Sequence, residues 1–179
     1  MHWAQISDEM GVSPYEAVIR LLIEENGAIK SIYFAMCEKD LETILQHPRS
    51  IISTDARAVA PYGKLGRGSV HPRYYGSYPK VLGRYVREKK VLSLEEAIKK
   101  STYLPAQKMK FKKRGLLKEG YYADITIFDK DEIVDMATFD DPHQYSKGVE
   151  YVIVNGELVI RQGEHTGNLP GKVLNRKYD

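Results

Sequence analysis

Residues 28–55 carry the clearest succession of structural elements in the chain and read AIKSIYFAMCEKDLETILQHPRSIISTD. Residues 28–34 form a short apolar run with β-branched positions, which predicts a buried strand. Glu38–Gln46 place leucine and isoleucine on one side of a predicted helix. Residues 51–54 predict a second short strand, with Asp55 at its C-terminal end. Strand, helix and strand with short connections are typical of a parallel α/β sheet.

Asp55 stands where a parallel sheet usually binds its ligand, at the C-terminal end of a predicted strand. The loop of residues 56–76 that follows is rich in glycine, tyrosine, arginine and histidine. Loops of this length inside compact domains are usually functional or disordered. We therefore predict an active-site loop over residues 55–76. The alternative is that Asp55 only caps the next turn.

Helices are predicted on both sides of this segment. Ser13 and Pro14 suit the cap and the first turn of a helix, and Asn26-Gly27 suits its end. Beyond the loop, the apolar periodicity predicts helices over residues 78–89 and 94–101.

The second half of the chain has the pattern of a small β unit. Residues 121–128 alternate apolar and polar side chains, which predicts a strand. Residues 149–154 and 157–161 are apolar runs on either side of Asn155-Gly156. Asn-Gly between apolar runs is the strongest short signal for a β-hairpin. The tail that follows is polar, and we expect it to be irregular.

The composition predicts an ordered globular chain. Hydrophobic residues make up 42% and charged residues 28% of the sequence, which excludes a disordered class. No apolar run approaches the roughly 20 residues of a membrane helix, so no membrane partner is expected. The first ten residues lack the pattern of a secretory signal, and we expect a cytoplasmic protein.

The charge balance argues against a nucleic-acid partner, and the cysteine count excludes disulfides and cysteine-based metal sites. The 27 basic and 24 acidic residues give a net charge of +3, and the one basic cluster, residues 108–118, is mixed with apolar residues. No nucleic-acid partner is therefore expected. The single cysteine, Cys37, excludes an internal disulfide and a cysteine-based zinc cage. Its place after an apolar run favours the core.

Four motifs follow one another along the chain. They are HPRYYG at residues 71–76, PKVLGRYVRE at residues 79–88, RGLLKEGYYAD at residues 114–124 and DPHQY at residues 141–145. The third motif is common to many amidohydrolases, whereas the other three are more specific. In this order they resemble the N-acyl-D-amino-acid deacylases (D-aminoacylases) of the metal-dependent amidohydrolase superfamily, over nearly the whole chain.

The resemblance implies an α/β fold in two parts. Residues 1–113 would be the C-terminal end of the barrel: the last strands and helices of a (β/α)₈ TIM-like barrel with the active-site loop 55–76. Residues 114–179 would be a portion of a small β-sandwich and the tail.

The resemblance also implies a chemistry, the metal-dependent hydrolysis of the amide bond of N-acyl-D-amino acids to a D-amino acid and a carboxylic acid. It implies zinc in the complete enzyme, with Asp55 as the catalytic acid–base group and as a candidate metal ligand. Arg73 would hold the substrate α-carboxylate through two parallel hydrogen bonds, and His71 would line the substrate pocket. Asp55 lies in Ser-Thr-Asp-Ala, where Gly-Ser-Asp-Gly is usual, so Ala56 restricts the backbone there.

Part of such an enzyme is missing from this sequence. A complete barrel needs about 250 residues, and the five histidines include no His-x-His pair of the kind that holds the family's metal. We therefore expect a fragment, a truncated gene product or one half of a split enzyme, without zinc and inactive in isolation. A second polypeptide or self-association would complete the fold.

Two other functions stay open at this point. One is a non-catalytic fragment or assembly partner that lacks the metal site. The other is a cyclic-amide hydrolase (hydantoinase-like), which shares the third motif but is not expected to carry HPRYYG or DPHQY. Taken alone, Arg73 could be a surface residue and His71 a packing residue of the loop. His143 is predicted to be structural, holding the segment between the β strands.

Overall fold

A computed structural model describes residues 2–29, 31, 33 and 35–175 of the chain. The chain divides into two compact units, Met1–Cys37 and Glu38–Asp179. None of the described helices is long and apolar enough to cross a membrane.

The first unit is a pair of helices, α1 (Trp3–Met10) and α2 (Pro14–Glu24), which pack against each other and bury Ala17 completely. The predicted cap of α2 is confirmed, because the Ser13 hydroxyl accepts the backbone N–H of Glu16 at 3.2 Å. The helix gives way to a turn at Asn26 and Gly27, both with positive φ, as the sequence predicted.

The predicted strand at residues 28–34 falls partly on residues 30, 32 and 34, which lie outside the described residues. Its four described positions are not in a strand. Within this stretch Tyr33 is 80% exposed, and just after it Met36 is 78% exposed. Cys37 is exposed as well, so the prediction that it lies in the core was wrong.

The helices of the second unit follow in chain order, and three of them share one hydrophobic core. They are α3 (Glu38–Gln46), a 3₁₀ turn (Gly63–Gly66), α4 (Arg73–Lys80), a π-helix (Val81–Glu88), α5 (Leu94–Ser101) and α6 (Tyr103–Met109). The core contains Leu45, Ile52, Val81, Tyr85 and Ala97. α3 and α5 were predicted correctly, and α5 has its predicted Ser93 cap.

The helix predicted from residue 78 begins earlier, at Arg73. Its first turn forms because the Gly76 N–H donates to the Pro72 carbonyl at 3.1 Å. Pro79 lies inside the helix and has no N–H to donate, and wide π turns follow it. The sequence analysis missed the early start because it assigned residues 71–76 to the long loop.

The predicted strand at residues 51–54 was wrong. Ile52 is buried as expected, but its backbone N–H donates to the carbonyl of Lys100, near the end of α5, at 3.1 Å. The buried Lys100 amine in turn donates to Ser50 Oγ at 2.8 Å and to the His47 carbonyl. Ser50 and Ile52 are therefore hydrogen-bonded to the end of α5 and not to a neighbouring strand. The described residues contain no parallel strand pair.

The strands form one antiparallel sheet in sequence order, β1 (Ile125–Phe128), β2 (Val149–Val154), β3 (Glu157–Arg161) and β4 (Glu164–His165). The predicted hairpin is confirmed, because Asn155 and Gly156 take the positive φ values of 50° and 85° that a tight turn between β2 and β3 needs. The first strand is shorter than predicted. The short β4 lies in the tail, where no strand was expected.

The described chain is therefore α/β with a small antiparallel sheet. The boundary predicted between residues 113 and 114 falls between α6 and β1, and it stays a prediction.

The segment between β1 and β2, residues 129–148, joins the sheet to the helices. Ile133 is only 2% exposed, and its carbonyl accepts a hydrogen bond from Arg87 Nη1 at 2.7 Å. The same carbonyl passes so close to Gly83 that a Cβ there would lie 2.6 Å from its oxygen. Only glycine fits this backbone crossing.

We expect Gly83→Ala to lower the free energy of unfolding by about 1–3 kcal/mol, since the added methyl overpacks a backbone contact. Denaturant unfolding measures the change. Gly171→Ala is the control, because a Cβ at Gly171 would meet open space. Equal stability of the two variants would contradict the close approach.

Candidate active site

The structure brings together two of the residues predicted from the sequence, Asp55 and Arg73. The Nη2 of Arg73 donates to Oδ2 of Asp55 at 2.8 Å across 18 positions of sequence. Asp55 has a positive φ of 47°, and its side chain is 87% exposed, against 40% for Arg73. The carboxylate is therefore held at the surface by one charged contact and remains open to solvent.

Arg73 has unused donors beside this ion pair. Its Nε is buried, and the described residues offer this atom no hydrogen-bond acceptor. A guanidinium carries five N–H donors in a fixed plane and pairs with a carboxylate through two of them. A buried donor without an acceptor is costly, so the site favours a further acceptor next to Arg73.

His71 fixes the start of α4. Its Nδ1 accepts the backbone N–H of Arg73 at 3.0 Å, and its ring packs edge-on against Phe139 with centroids 5.1 Å apart. Burial, and after it the positive charges of Arg73 and Lys80, hold the pKa of His71 below its usual value. The ring is therefore neutral at pH 7, with its proton on Nε2.

His143 links the loop before α4 to the helix itself. Its Nε2 lies 2.7 Å from the Gly68 carbonyl, and its Nδ1 lies 2.9 Å from the Tyr75 hydroxyl. Since a carbonyl only accepts, Nε2 carries the proton and Nδ1 accepts from Tyr75. These contacts fit the structural role that the sequence predicted for His143.

Further contacts strengthen this link. Burial raises the pKa of Tyr75, so its hydroxyl stays protonated and can donate to His143. The Ser146 hydroxyl donates to the Tyr75 carbonyl at 3.1 Å. Burial first, then a hydrogen bond with Tyr62, raise the pKa of Tyr145 to about 12. The DPHQY segment therefore holds α4 and the loop that precedes it.

The sequence did not single out Arg57. Its guanidinium carbon lies 5.9 Å from the centroid of the Tyr74 ring, and the guanidinium carbon of Arg73 lies 5.8 Å from the same centroid. Arg57 stands two positions after Asp55, and that spacing was the one signal in the sequence that could have identified it.

A metal centre needs several ligands together. The described residues contain no group of three or more histidine, cysteine, aspartate or glutamate side chains that could hold a metal ion. Asp55 is a single carboxylate paired with an arginine, so the residues at this site do not fit a metal by themselves.

Comparisons with known proteins agree on one family for this chain. A model of the amidohydrolase family matches residues 38–160. The N-acyl-D-glutamate deacylase of Alcaligenes xylosoxydans xylosoxydans is 41% identical over 146 residues, which are 82% of this chain and 28% of that protein. The D-aminoacylase of the same organism is 36% identical over 172 residues, which are 96% of this chain and 33% of that protein.

A solved structure agrees with these relatives. It is an N-acyl-D-glutamate deacylase from Bordetella bronchiseptica, complexed with zinc and a phosphonate inhibitor that mimics the tetrahedral intermediate. It is 38% identical with a TM-score of 0.76, over 88% of this chain and 31% of that one. The chain thus spans about a third of the length of the proteins it matches.

The hydroxyl of Tyr75 is predicted to stabilise the link between α4 and the loop. We expect Tyr75→Phe to lower the free energy of unfolding by about 1–3 kcal/mol, because Nδ1 of the half-buried His143 loses its donor. Thermal or denaturant unfolding measures the loss. Tyr78→Phe on the same helix is the matched control, since the described residues give its hydroxyl no hydrogen bond. A loss of similar size in both variants would count against the link.

Proposed function

The chain belongs to the amidohydrolase family, and from this premise we propose that it is the substrate-binding and acid–base part of an N-acyl-D-amino-acid deacylase. The whole protein would hydrolyse the amide bond of an N-acyl-D-amino acid to a D-amino acid and a carboxylic acid. One observation carries the proposal: the exposed carboxylate of Asp55 pairs with an arginine that still has a buried donor to offer.

The proposed role of Arg73 is to bind the α-carboxylate of the substrate. A guanidinium recognises a carboxylate through two parallel hydrogen bonds, and Nε with the adjacent Nη2 forms one such edge. The substrate carboxylate would replace Asp55 on Nη2 and would also satisfy the buried Nε. Binding of substrate would therefore release Asp55.

The released Asp55 is then free for proton transfer. As a base it would accept a proton from the water that attacks the amide carbon, and a C–O bond forms. As an acid it would give this proton to the amide nitrogen, so that the C–N bond breaks and the amine departs. Positioned acid–base groups contribute roughly 100- to 10,000-fold to such reactions.

His71 is proposed to line the substrate pocket. Because its Nδ1 already accepts from the Arg73 backbone, its Nε2–H is the donor that remains for a substrate oxygen. A neutral imidazole donates one hydrogen bond without adding charge.

Zinc is the proposed cofactor of the complete protein, where it would activate the attacking water. The relative from Bordetella bronchiseptica was solved with zinc. Since the residues of this site do not fit a metal by themselves, the zinc ligands would come from another part of the complete fold. A longer polypeptide, a second polypeptide or another copy of the chain would supply them.

The fold proposed for the complete protein is a (β/α)₈ barrel with a small β-sandwich. Residues 1–113 would end the barrel, and residues 114–179 would form part of the sandwich, in a cytoplasmic enzyme. The names of the relatives favour a deacylase over a cyclic-amide hydrolase.

Asp55→Asn is predicted to reduce turnover of N-acyl-D-amino acids by at least roughly 100-fold in the complete protein, because an amide cannot accept the proton of water. Stability should change little, since the side chain is exposed. Steady-state kinetics with circular dichroism test this. The control is Asp140→Asn, another exposed carboxylate. Near-normal turnover by Asp55→Asn would refute the acid–base role and favour the non-catalytic alternative.

Arg73→Lys is predicted to harm only substrates with a free α-carboxylate. Lysine keeps the positive charge but loses the planar pair of donors. The comparison is the kcat/KM for an N-acetyl-D-amino acid against that for its α-amide, in the variant and in the unchanged protein. A loss confined to the free acid is expected. An equal loss on both substrates would make Arg73 structural.

A further inference from the structure

Two arginines lie against one tyrosine ring at the site. The guanidinium carbons of Arg57 and Arg73 lie 5.9 and 5.8 Å from the centroid of Tyr74. A cation within about 6 Å of an aromatic centroid is attracted by the electrons of the ring. The Tyr74 ring therefore holds a second guanidinium close to the one that is proposed to bind substrate.

Arg57 differs from Arg73 in its other contacts. Arg73 has Asp55 as a counter-ion, whereas Arg57 is exposed and makes no ion pair or hydrogen bond with the described residues. The ring contact leaves all five of its N–H donors available, because the attraction acts through the face of the ring.

The electrostatics of this arrangement favour a ligand with two negative charges. When one substrate carboxylate binds Arg73, Asp55 would be released, and the guanidinium of Arg57 against Tyr74 would be the second positive charge close to the bound molecule. A substrate with a neutral side chain leaves Arg57 without a counter-ion, whereas a side-chain carboxylate gives it one.

We infer that Arg57 is a specificity-determining residue and that the substrate class is the N-acyl derivatives of acidic D-amino acids. The juxtaposition that carries this is the guanidinium groups of Arg57 and Arg73 against the same Tyr74 ring. Arg73 takes the α-carboxylate and Arg57 takes the carboxylate of the side chain. The inference rests on the proposed deacylase function and adds its substrate class.

Kinetics on matched substrates test the inference in the complete protein. The pairs are N-acetyl-D-aspartate with N-acetyl-D-asparagine, and N-acetyl-D-glutamate with N-acetyl-D-glutamine, which have the same shape but differ in charge. We expect kcat/KM to favour the acidic member by roughly 10- to 100-fold, the range of one charged hydrogen bond.

Variants of Arg57 and Arg67 test which residue produces the preference for acidic substrates. Arg57→Gln should reduce the acidic preference to near unity by lowering kcat/KM on the acidic substrates, and Arg57→Lys should restore part of it. Arg67→Gln is the matched control, an exposed arginine of the same loop, and it should leave the preference unchanged. Circular dichroism of each variant confirms that the fold is retained.

Two results would overturn the inference, and they differ from a failure of the deacylase function. If the unchanged protein hydrolyses neutral N-acyl-D-amino acids as well as the acidic ones, or if Arg57→Gln keeps the acidic preference, Arg57 does not select the substrate. If the complete, zinc-loaded protein hydrolyses no N-acyl-D-amino acid at all, the deacylase proposal fails and this inference falls with it.

Discussion

The close approach of the Ile133 carbonyl to Gly83 is the constraint on which the rest of the second unit depends. It fixes the segment between β1 and β2 against the helices, and Arg87 donates to the same carbonyl. From there the segment continues to His143, which reaches both the Gly68 carbonyl and the Tyr75 hydroxyl. Because Tyr75 lies in the first half of α4, these bonds hold the helix at whose start Arg73 lies. The small sheet thus positions the candidate site through its longest connection.

The ion pair between Asp55 and Arg73 contributes little to stability and is easily replaced by another carboxylate. Both side chains of the Asp55–Arg73 pair are exposed to solvent, and exposed ion pairs contribute about 0–1 kcal/mol. A substrate carboxylate that also reaches the buried Nε of Arg73 would form the better contact. Binding of the substrate carboxylate to Arg73 would then release Asp55, the proposed acid–base group, in the same step.

Local chemistry made part of this fold predictable from sequence. The Ser13 cap and the Asn155-Gly156 turn depend on a few adjacent residues, and both were correct. The strand expected at residues 51–54 failed because an apolar run fixes burial, whereas a strand also needs a partner for its backbone. Here that partner is the Lys100 carbonyl. Asp55 was identified by its place after a predicted strand, which the structure lacks, and by the family resemblance, whereas Arg73 was identified by the resemblance alone. Nothing local to either residue predicts their contact. Arg57 was missed because its relation to Tyr74 exists only after the loop has folded.

A crystal structure of the complete protein with a phosphonate analogue of an N-acyl-D-amino acid would show whether the substrate carboxylate and Asp55 exchange places on Arg73. We expect Nε and Nη2 of Arg73 to bind the carboxylate of the analogue, while Asp55 is no longer hydrogen-bonded to Arg73. A complex in which Asp55 still pairs with Arg73, and another residue binds the carboxylate, would contradict this exchange.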